Sequence, residues 1–433
     1  MSTLTFAWQH RHDDTARLLL GKAPQGVDMR LAAQQIEGWQ TARAKWPSLA
    51  ANPLFLFPPR LNREQASSEA TAAYKASLFA APPAPLAPSA PAPYSVSGDS
   101  IAGMLSVAGI TPSIADLTGG MGIDTFALAR VASHVDYFEL DDALCALMRS
   151  NAATLSLDNI TVHNADSLAL PPPSEPLYDI ALVDPARRDS AGRRVAAFED
   201  CTPDILAAMP LLARLTRKLV VKASPMVDIT LALRQLPQVQ SLHVVALRGE
   251  CKELLFVLDF TTAAAVAAAP VVYCVNLLHT DAERVGECSL FSFTYDEARA
   301  AAARPQPLPH PVAGGYLYEP DATVMKAGCH ALVAERYGIA MLGANSHLAY
   351  SPELVEAFPG HCYAILAEAA PERKALAPLL PGWKANIVSR NHPLTADALR
   401  RRLRLSDAPA DAPYLIATSV ATRPTLFVCL RRY

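Results

Sequence analysis

The spacing of apolar and polar positions changes several times along the chain, and each change marks an element. Between Asp28 and Trp46, Met29, Leu31, Ile36, Trp39 and Ala42 recur at near-helical intervals. Ser67 to Leu78 opens on capping residues and continues with helix formers. Residues 1–80 are therefore expected to be a helical N-terminal domain. From Ala80 to Pro93 proline and alanine alternate, which suits neither a helix nor a central strand. The expectation for 81–94 is an extended linker or an ordered surface loop. Short apolar runs then replace the helical period. Ile114-Ala115, Val135 to Glu139, Ile160 to Asn164, Asp179 to Val183 and Lys218 to Lys222 predict five strands, with a helical run beginning at Phe126. Leu242 to Ala246 and Glu253 to Leu258 predict a closing pair around the charged turn Arg248 to Lys252. After Thr261-Thr262 the chain turns alanine-rich, and a change of domain is expected nearby. A second proline-rich passage, Arg304 to Pro311, marks another connection. The pattern predicts an α/β core over 95–262 and an α+β region over 263–433, with room for two subdomains; no internal repeat stands out.

At 433 residues, 51% of them hydrophobic, the chain can bury two or three domain cores. A formal net charge of −3 excludes a uniformly basic surface, so any nucleic-acid contact must be a local patch. The eight cysteines (Cys145, Cys201, Cys251, Cys274, Cys288, Cys329, Cys362 and Cys429) form no C-x-x-C and no zinc-spaced cluster, so no metal is expected. Scattered cysteines fit a reducing cytoplasm. The N-terminal stretch from Gln9 to Asp14 is polar and reads as neither a leader nor an anchor. The apolar run Ala263 to Ala269 is too short to cross a bilayer, and no membrane partner is expected.

The chemistry concentrates in Ser113 to Asp124, S-I-A-D-L-T-G-G-M-G-I-D. An apolar strand ends in Asp116, a turn through Thr118, Gly119, Gly120 and Gly122 to Asp124 follows, and the helical run begins at Phe126. Glycines there let a ligand approach the backbone. A dinucleotide turn would read G-x-G-x-x-G, but Thr125 stands where that pattern needs its third glycine. Acids at both ends of the turn suit a cationic ligand better than a pyrophosphate, and S-adenosylmethionine carries a sulfonium and an ammonium. Glu139 lies about 20 residues past the glycines, where such folds place a carboxylate on ribose hydroxyls; with Asp141 and Asp142 it equally fits a solvated helix start. Asp166 could accept from an adenine amino group or cap a helix. Four predicted strands thus end in polar residues at one edge, where open parallel sheets bind ligands.

Asp116 to Gly122, Glu139, Asp166 and Asp184-Pro185 together resemble the class I S-adenosylmethionine-dependent methyltransferases, over roughly residues 95 to 260. The resemblance implies a Rossmann-like, mostly parallel seven-stranded sheet. It assigns Asp116, Thr118, Gly119, Gly120, Gly122 and Asp124 to the methionine part, Glu139 to the ribose and Asp166 to the adenine. The flanks Leu61 to Lys75, Gly315 to Asp321 and Lys384 to Pro393 resemble a narrower bacterial group with a THUMP-like C-terminal domain, which implies RNA methylation.

Asp184, Pro185 and Arg187 are then the expected catalytic ledge. Amino-directed nucleic-acid methyltransferases carry an aromatic residue after the prolines, to stack the base. Here Ala186 and Arg187 stand instead, and arginine can also stack or hold a phosphate; Arg187 and Arg188 also fit exposed loop charges. Asp-Pro-x-Arg is similar to the uridine carbon methyltransferases too, but those need a cysteine at the end of the next strand. That strand ends Lys222-Ala223-Ser224-Pro225, which favours a base nitrogen as acceptor. Ser224 and Pro225 would shape the pocket and Lys222 would contact phosphate. For RNA the C-terminal region offers Lys384, Arg390, Arg400, Arg401, Arg402 and Arg404, with Trp383, His392 and Tyr414 interleaved for stacking. Arg400 to Arg404 equally fits the solvated face of a helix. The competing classes are a small-molecule or protein methyltransferase and an RNA-binding protein with an inactive core. A nicotinamide oxidoreductase is disfavoured by the glycine spacing.

Overall fold

The computed structural model describes residues 2–79, 111–186, 198, 201–261, 269–305, 308–343 and 345–433. The expected linker 81–94 and Arg187 lie outside the described residues. The chain divides into two compact units, the first comprising 1–87, 96–270 and 275–288, the second 88–95, 271–274 and 289–433. The N-terminal helices, expected as a domain of their own, thus share a unit with the α/β core.

Among the described residues, the sheet of the α/β core has nine strands where seven were expected, and seven of them lie wholly within the first unit: β1 (Ser113–Asp116), β2 (His134–Glu139), β3 (Ile160–Asn164), β4 (Tyr178–Val183), β5 (Thr216–Ala223), β6 (Val239–Leu247) and β7 (Glu250–Asp259). Their order is β3-β2-β1-β4-β5-β7-β6. The first five run parallel and β7 lies antiparallel between β5 and β6. The central strands are apolar on both faces, as expected where helices cover both sides of a parallel sheet. The final pair turns through Arg248 and Gly249, both at positive φ. That geometry suits a tight hairpin, and the closing glycine makes it easy to adopt.

The N-terminal helices form because their starts are capped and one face is apolar. Asp28 accepts from Arg30 and Leu31 N–H at 2.9 and 3.1 Å and starts the helix Met29–Lys45. Ile36, Trp39 and Ala42 are buried as their spacing predicts, whereas Leu31 is 40% exposed. Gly38 is required by packing, since a Cβ there would lie 2.4 Å from the Phe57 ring. Trp39, Trp46, Phe55 and Phe57 pack in one cluster with Met121, Phe126, Tyr137 and Met148 of the α/β part, so the two share a core. The buried Asn151 side chain fastens them further. Its amide donates to Leu56 O at 2.9 Å and its carbonyl oxygen accepts from Leu56 N–H at 2.8 Å.

The second unit takes in part of β8 (Val271–Leu277), most of β9 (Cys288–Thr294), and β10 (Tyr316–Pro320), β11 (Ala340–Met341), β12 (Ala349–Ser351), β13 (Gly360–Glu368), β14 (Asn386–Ser389), β15 (Tyr414–Val420) and β16 (Arg423–Arg431). The last seven form a sheet in the order β11-β12-β10-β13-β16-β15-β14, with β14 and β15 parallel and the other pairs antiparallel. Along β15 and β16 alternate residues enter different clusters: Ile416 and Phe427 one, Leu415, Ala417 and Val428 the other. Both faces are therefore covered, and Tyr414 to Ala417 and Leu426 to Leu430 form continuous apolar runs.

Replacing Asn151 with alanine would strand both polar groups of the Leu56 backbone. Denaturant unfolding is expected to show a loss of about 2 kcal/mol or more.

Candidate active site

Because β1, β2 and β4 run parallel in register, their C-terminal ends bring Asp116, Glu139 and Asp184 to one edge of the sheet. Asp116 is buried. Its Oδ2 accepts from the Thr125 hydroxyl at 2.6 Å and its Oδ1 from Thr118 N–H at 3.3 Å. Burial lifts its carboxyl to about 7, only partly offset by the Thr125 hydrogen bond.

The glycine turn is held from both sides. Toward β2, Gly119 N–H donates to Phe138 O at 2.9 Å and the Tyr137 hydroxyl to Gly120 O at 2.7 Å. Toward β4, Asp184 N–H donates to the Thr118 hydroxyl at 2.7 Å. Gly119 must be glycine, because a Cβ would sit 2.0 Å from the Tyr137 ring. Gly122, at φ +82°, turns the chain into the helix Ile123–Ala129. At Gly120 an added Cβ would meet, among the described residues beyond its chain neighbours, nothing nearer than Thr118 O at 3.9 Å, so the turn itself leaves room there. Glu139 orders the same loop: its Oε2 accepts from Gly120 N–H and its Oε1 from Asp141 N–H, each at 2.9 Å. Asp141 caps the following helix, Asp142–Thr154. Asp166 is exposed, and its Oδ1 accepts from Leu168 N–H at 2.9 Å, capping a short 3₁₀ turn.

Asp124 does not face the turn as a ligand-binding acid would. Its Oδ2 accepts from the Ser67 hydroxyl at 2.7 Å and its Oδ1 lies 3.2 Å from Lys75 Nζ. Lys75, wholly buried on the helix Glu69–Ser77, also reaches Glu253 Oε1 at 2.6 Å. Lys222, on the central strand β5, donates to Asp184 Oδ2 and lies 3.9 Å from Asp124. Its side chain is 7% exposed, so it forms an ion pair and does not reach out as a phosphate contact. Burial works against the Lys222 ammonium, yet Asp184, Asp124 and Glu253 hold its pKa well above the ordinary lysine range. Burial likewise opposes the Asp124 carboxylate, and Lys75 and Lys222 hold its pKa below the ordinary value. Sequence reading placed Lys75 in the flank that resembles the THUMP-like group and with Arg60 and Arg63 as an extension of the basic patch, but missed its burial and the pairing of both Lys75 and Lys222. The available signal was a lysine inside an otherwise apolar central strand, a position that demands a partner. Pro185 is buried, and Ala186 bridges to Thr202.

In the second unit the basic residues separate into two kinds. Arg390 pairs with Glu319 at 2.8 Å. Arg400 donates to Ser406 O at 2.9 Å and lies 3.3 Å from Asp407. Lys384, Arg401, Arg402 and Arg404 are exposed, the arginines at the end of the helix Ala396–Leu403. The expected stacking residues are built in: the Trp383 indole donates to Leu403 O at 3.0 Å, and Tyr414 is buried against Tyr363. His392 bonds locally to Leu394.

A family model described as a THUMP domain-like domain matches residues 360–431, and one described as a ferredoxin-like domain matches 316–359. The crystal structure of a "putative methyltransferase" from Porphyromonas gingivalis W83 superposes with a TM-score of 0.79 at 29% identity, covering 99% of this chain and 97% of that one. The chain has a class I methyltransferase fold with a THUMP-like C-terminal domain. Two shorter solved chains cover less of this fold. A "putative methyltransferase" from Escherichia coli covers 35% of this chain and 78% of its own, at 20% identity and a TM-score of 0.25. A "putative methylase" from Haemophilus influenzae covers 26% and 63%, at 24% and 0.22. No curated protein matches the chain.

Two outcomes are expected of the glycine turn and the acid beside it. Gly119→Ala must displace Tyr137 and should lower stability by about 1–3 kcal/mol, read by thermal unfolding. Native Asp116 keeps its proton up to about pH 7, whereas an unfolded aspartate loses it near its ordinary ~3.9. Its contribution is thus fully present below about pH 4 and is lost as pH rises through 7. Asp116→Asn should remove that component, so that its urea midpoint gains on the wild type between pH 4 and 7.

Proposed function

We propose that this protein is an S-adenosylmethionine-dependent methyltransferase acting on RNA, with a base nitrogen as acceptor. The observation that carries the reading is the row of acids, Asp116, Glu139 and Asp184, along one sheet edge beside a glycine turn that leaves room for a Cβ at Gly120. A cationic donor fits that row, and a pyrophosphate would be repelled by it. In this reading Asp116, Thr118 and the Gly119 to Gly122 turn hold the methionine part, Glu139 the ribose and Asp166 the adenine. Asp124 supports the turn from behind. When bound, S-adenosylmethionine would supply an electrophilic methyl group and leave as the neutral thioether, and the proton lost by the acceptor nitrogen would pass to Asp184 or to solvent. Asp184, its side chain 35% exposed, accepts a hydrogen bond from the acceptor amino group and aims its lone pair. Pro185 and Arg187 complete the ledge.

RNA as substrate draws support from the THUMP-like match and from the exposed basic residues Lys384, Arg401, Arg402 and Arg404. Arg390 and Arg400, engaged with Glu319 and Asp407, would contribute through rearrangement of those pairs. The eight free thiols suit a reducing cytoplasm as the place of action. The built-in Trp383 and Tyr414 favour a second reading, a protein or small-molecule acceptor, because they remove two of the expected stacking platforms.

Labelled methyl transfer to bulk RNA decides between the readings. Wild-type protein is expected to label RNA, and Asp184→Ala to do so at least about 100-fold more slowly. Label in protein alone would select the second reading. Donor binding without transfer to either would indicate an inactive core, and tight binding of NAD alone would end the methyltransferase reading.

A further inference from the structure

Behind Asp184 lies a line of charges that touches neither a donor nor a nucleic acid in this reading. Glu253, Lys75, Asp124, Lys222 and Asp184 succeed one another with alternating sign. Lys75 Nζ stands 2.6 Å from Glu253 and 3.2 Å from Asp124, and Lys222 Nζ stands 3.9 Å from Asp124 and bonds Asp184. Side-chain exposure is 0% at Lys75, 3% at Glu253, 13% at Asp124 and 7% at Lys222, but 35% at Asp184. The line is therefore sealed along its length and open at the end that borders the ledge. A buried ammonium cannot leave its carboxylate without losing its compensation, so each member holds the next in place. Asp184 is held twice, by Lys222 at Oδ2 and by Thr118 at its backbone N–H.

We propose that Lys222, backed through Asp124 by Lys75, is the positioning residue for Asp184. It occupies one carboxylate oxygen and thereby turns the other toward the acceptor. The N-terminal helix Glu69–Ser77 then supplies, through Lys75, part of the support for catalysis. This inference rests on the methyltransferase reading. Its distinguishing feature is that Lys222 acts on the transfer step and leaves the donor site alone.

The test uses the full chain as wild type, Lys222→Met, Lys222→Arg and Lys75→Met, with calorimetric S-adenosylmethionine binding and methyl transfer to bulk RNA between pH 6 and 9. Lys222→Met is expected to lose about 100-fold in kcat while donor Kd stays within about twofold, and to change the shape of the pH profile. Lys222→Arg should recover about tenfold of that loss, and Lys75→Met should lose less than Lys222→Met. A Lys222→Met enzyme with wild-type kcat and pH profile would overturn the proposal. So would a loss of kcat matched by an equal loss of donor binding, which would make the role structural.

If the wild type labels no RNA, the RNA reading fails, and a double-mutant cycle judges the pair without any activity. The melting shifts of Asp184→Asn and Lys222→Met should then be strongly non-additive, the double variant melting well above the sum of the singles. Additive shifts would remove the Asp184–Lys222 interaction on which the proposal stands.

Discussion

The ion pair between Lys222 and Asp184 is the constraint around which the first unit is arranged. Lys222 lies on a central strand whose neighbours are apolar, where an uncompensated ammonium would be costly; breaking such a pair typically costs about 3–5 kcal/mol. Compensation comes from three directions: the end of β4, the start of the helix after the glycine turn, and, one step further, β7 through Glu253. Lys75, from the N-terminal helices, in turn balances Asp124 and Glu253. These elements therefore cannot be displaced separately without leaving a charge unmatched inside the protein.

The glycine turn meets a different kind of requirement, one of space and direction. Tyr137 fills the volume beside Gly119 and bonds Gly120 O, while Glu139 takes Gly120 N–H. The loop is thus shaped by β2 before any ligand arrives. A preformed loop loses less conformational entropy on binding. Asp116 lies beneath it, its charge balanced between the cost of burial and the pull of Thr125 and Thr118. A cation placed above the turn would shift that balance toward the carboxylate.

The sheet was legible in the sequence because its signals are local. Each parallel strand is a short apolar run ending in an acid or a turn residue, and the boundaries read from the pattern fall within a residue or two of β2, β3 and β4. The glycine turn and the edge residues Asp116, Glu139 and Asp184 were legible for the same reason. The pairing of Lys75 with Asp124 and Glu253 was not, because those partners lie 49 and 178 residues away and no local spacing encodes them. Nor could spacing tell Trp383 and Tyr414 as core residues from exposed platforms: an aromatic beside arginines looks the same in sequence whichever way it points. Leu31 shows the converse, an apolar residue at helical spacing that stays exposed because the shared core lies on the side of Ile36 and Trp39.

The paired hydrogen bonds between Asn151 and the Leu56 backbone bear on how such a protein can change over evolutionary time. A side-chain amide that matches a main-chain donor and acceptor tolerates almost any residue at position 56, since it ignores that residue's side chain. Drift is thereby permitted on one partner and forbidden on the other. A recombination event that exchanged the α/β half for a homologous one lacking the asparagine would leave the Leu56 backbone groups without their partner beside the shared apolar core. The two halves are consequently expected to be inherited together, as a single heritable block.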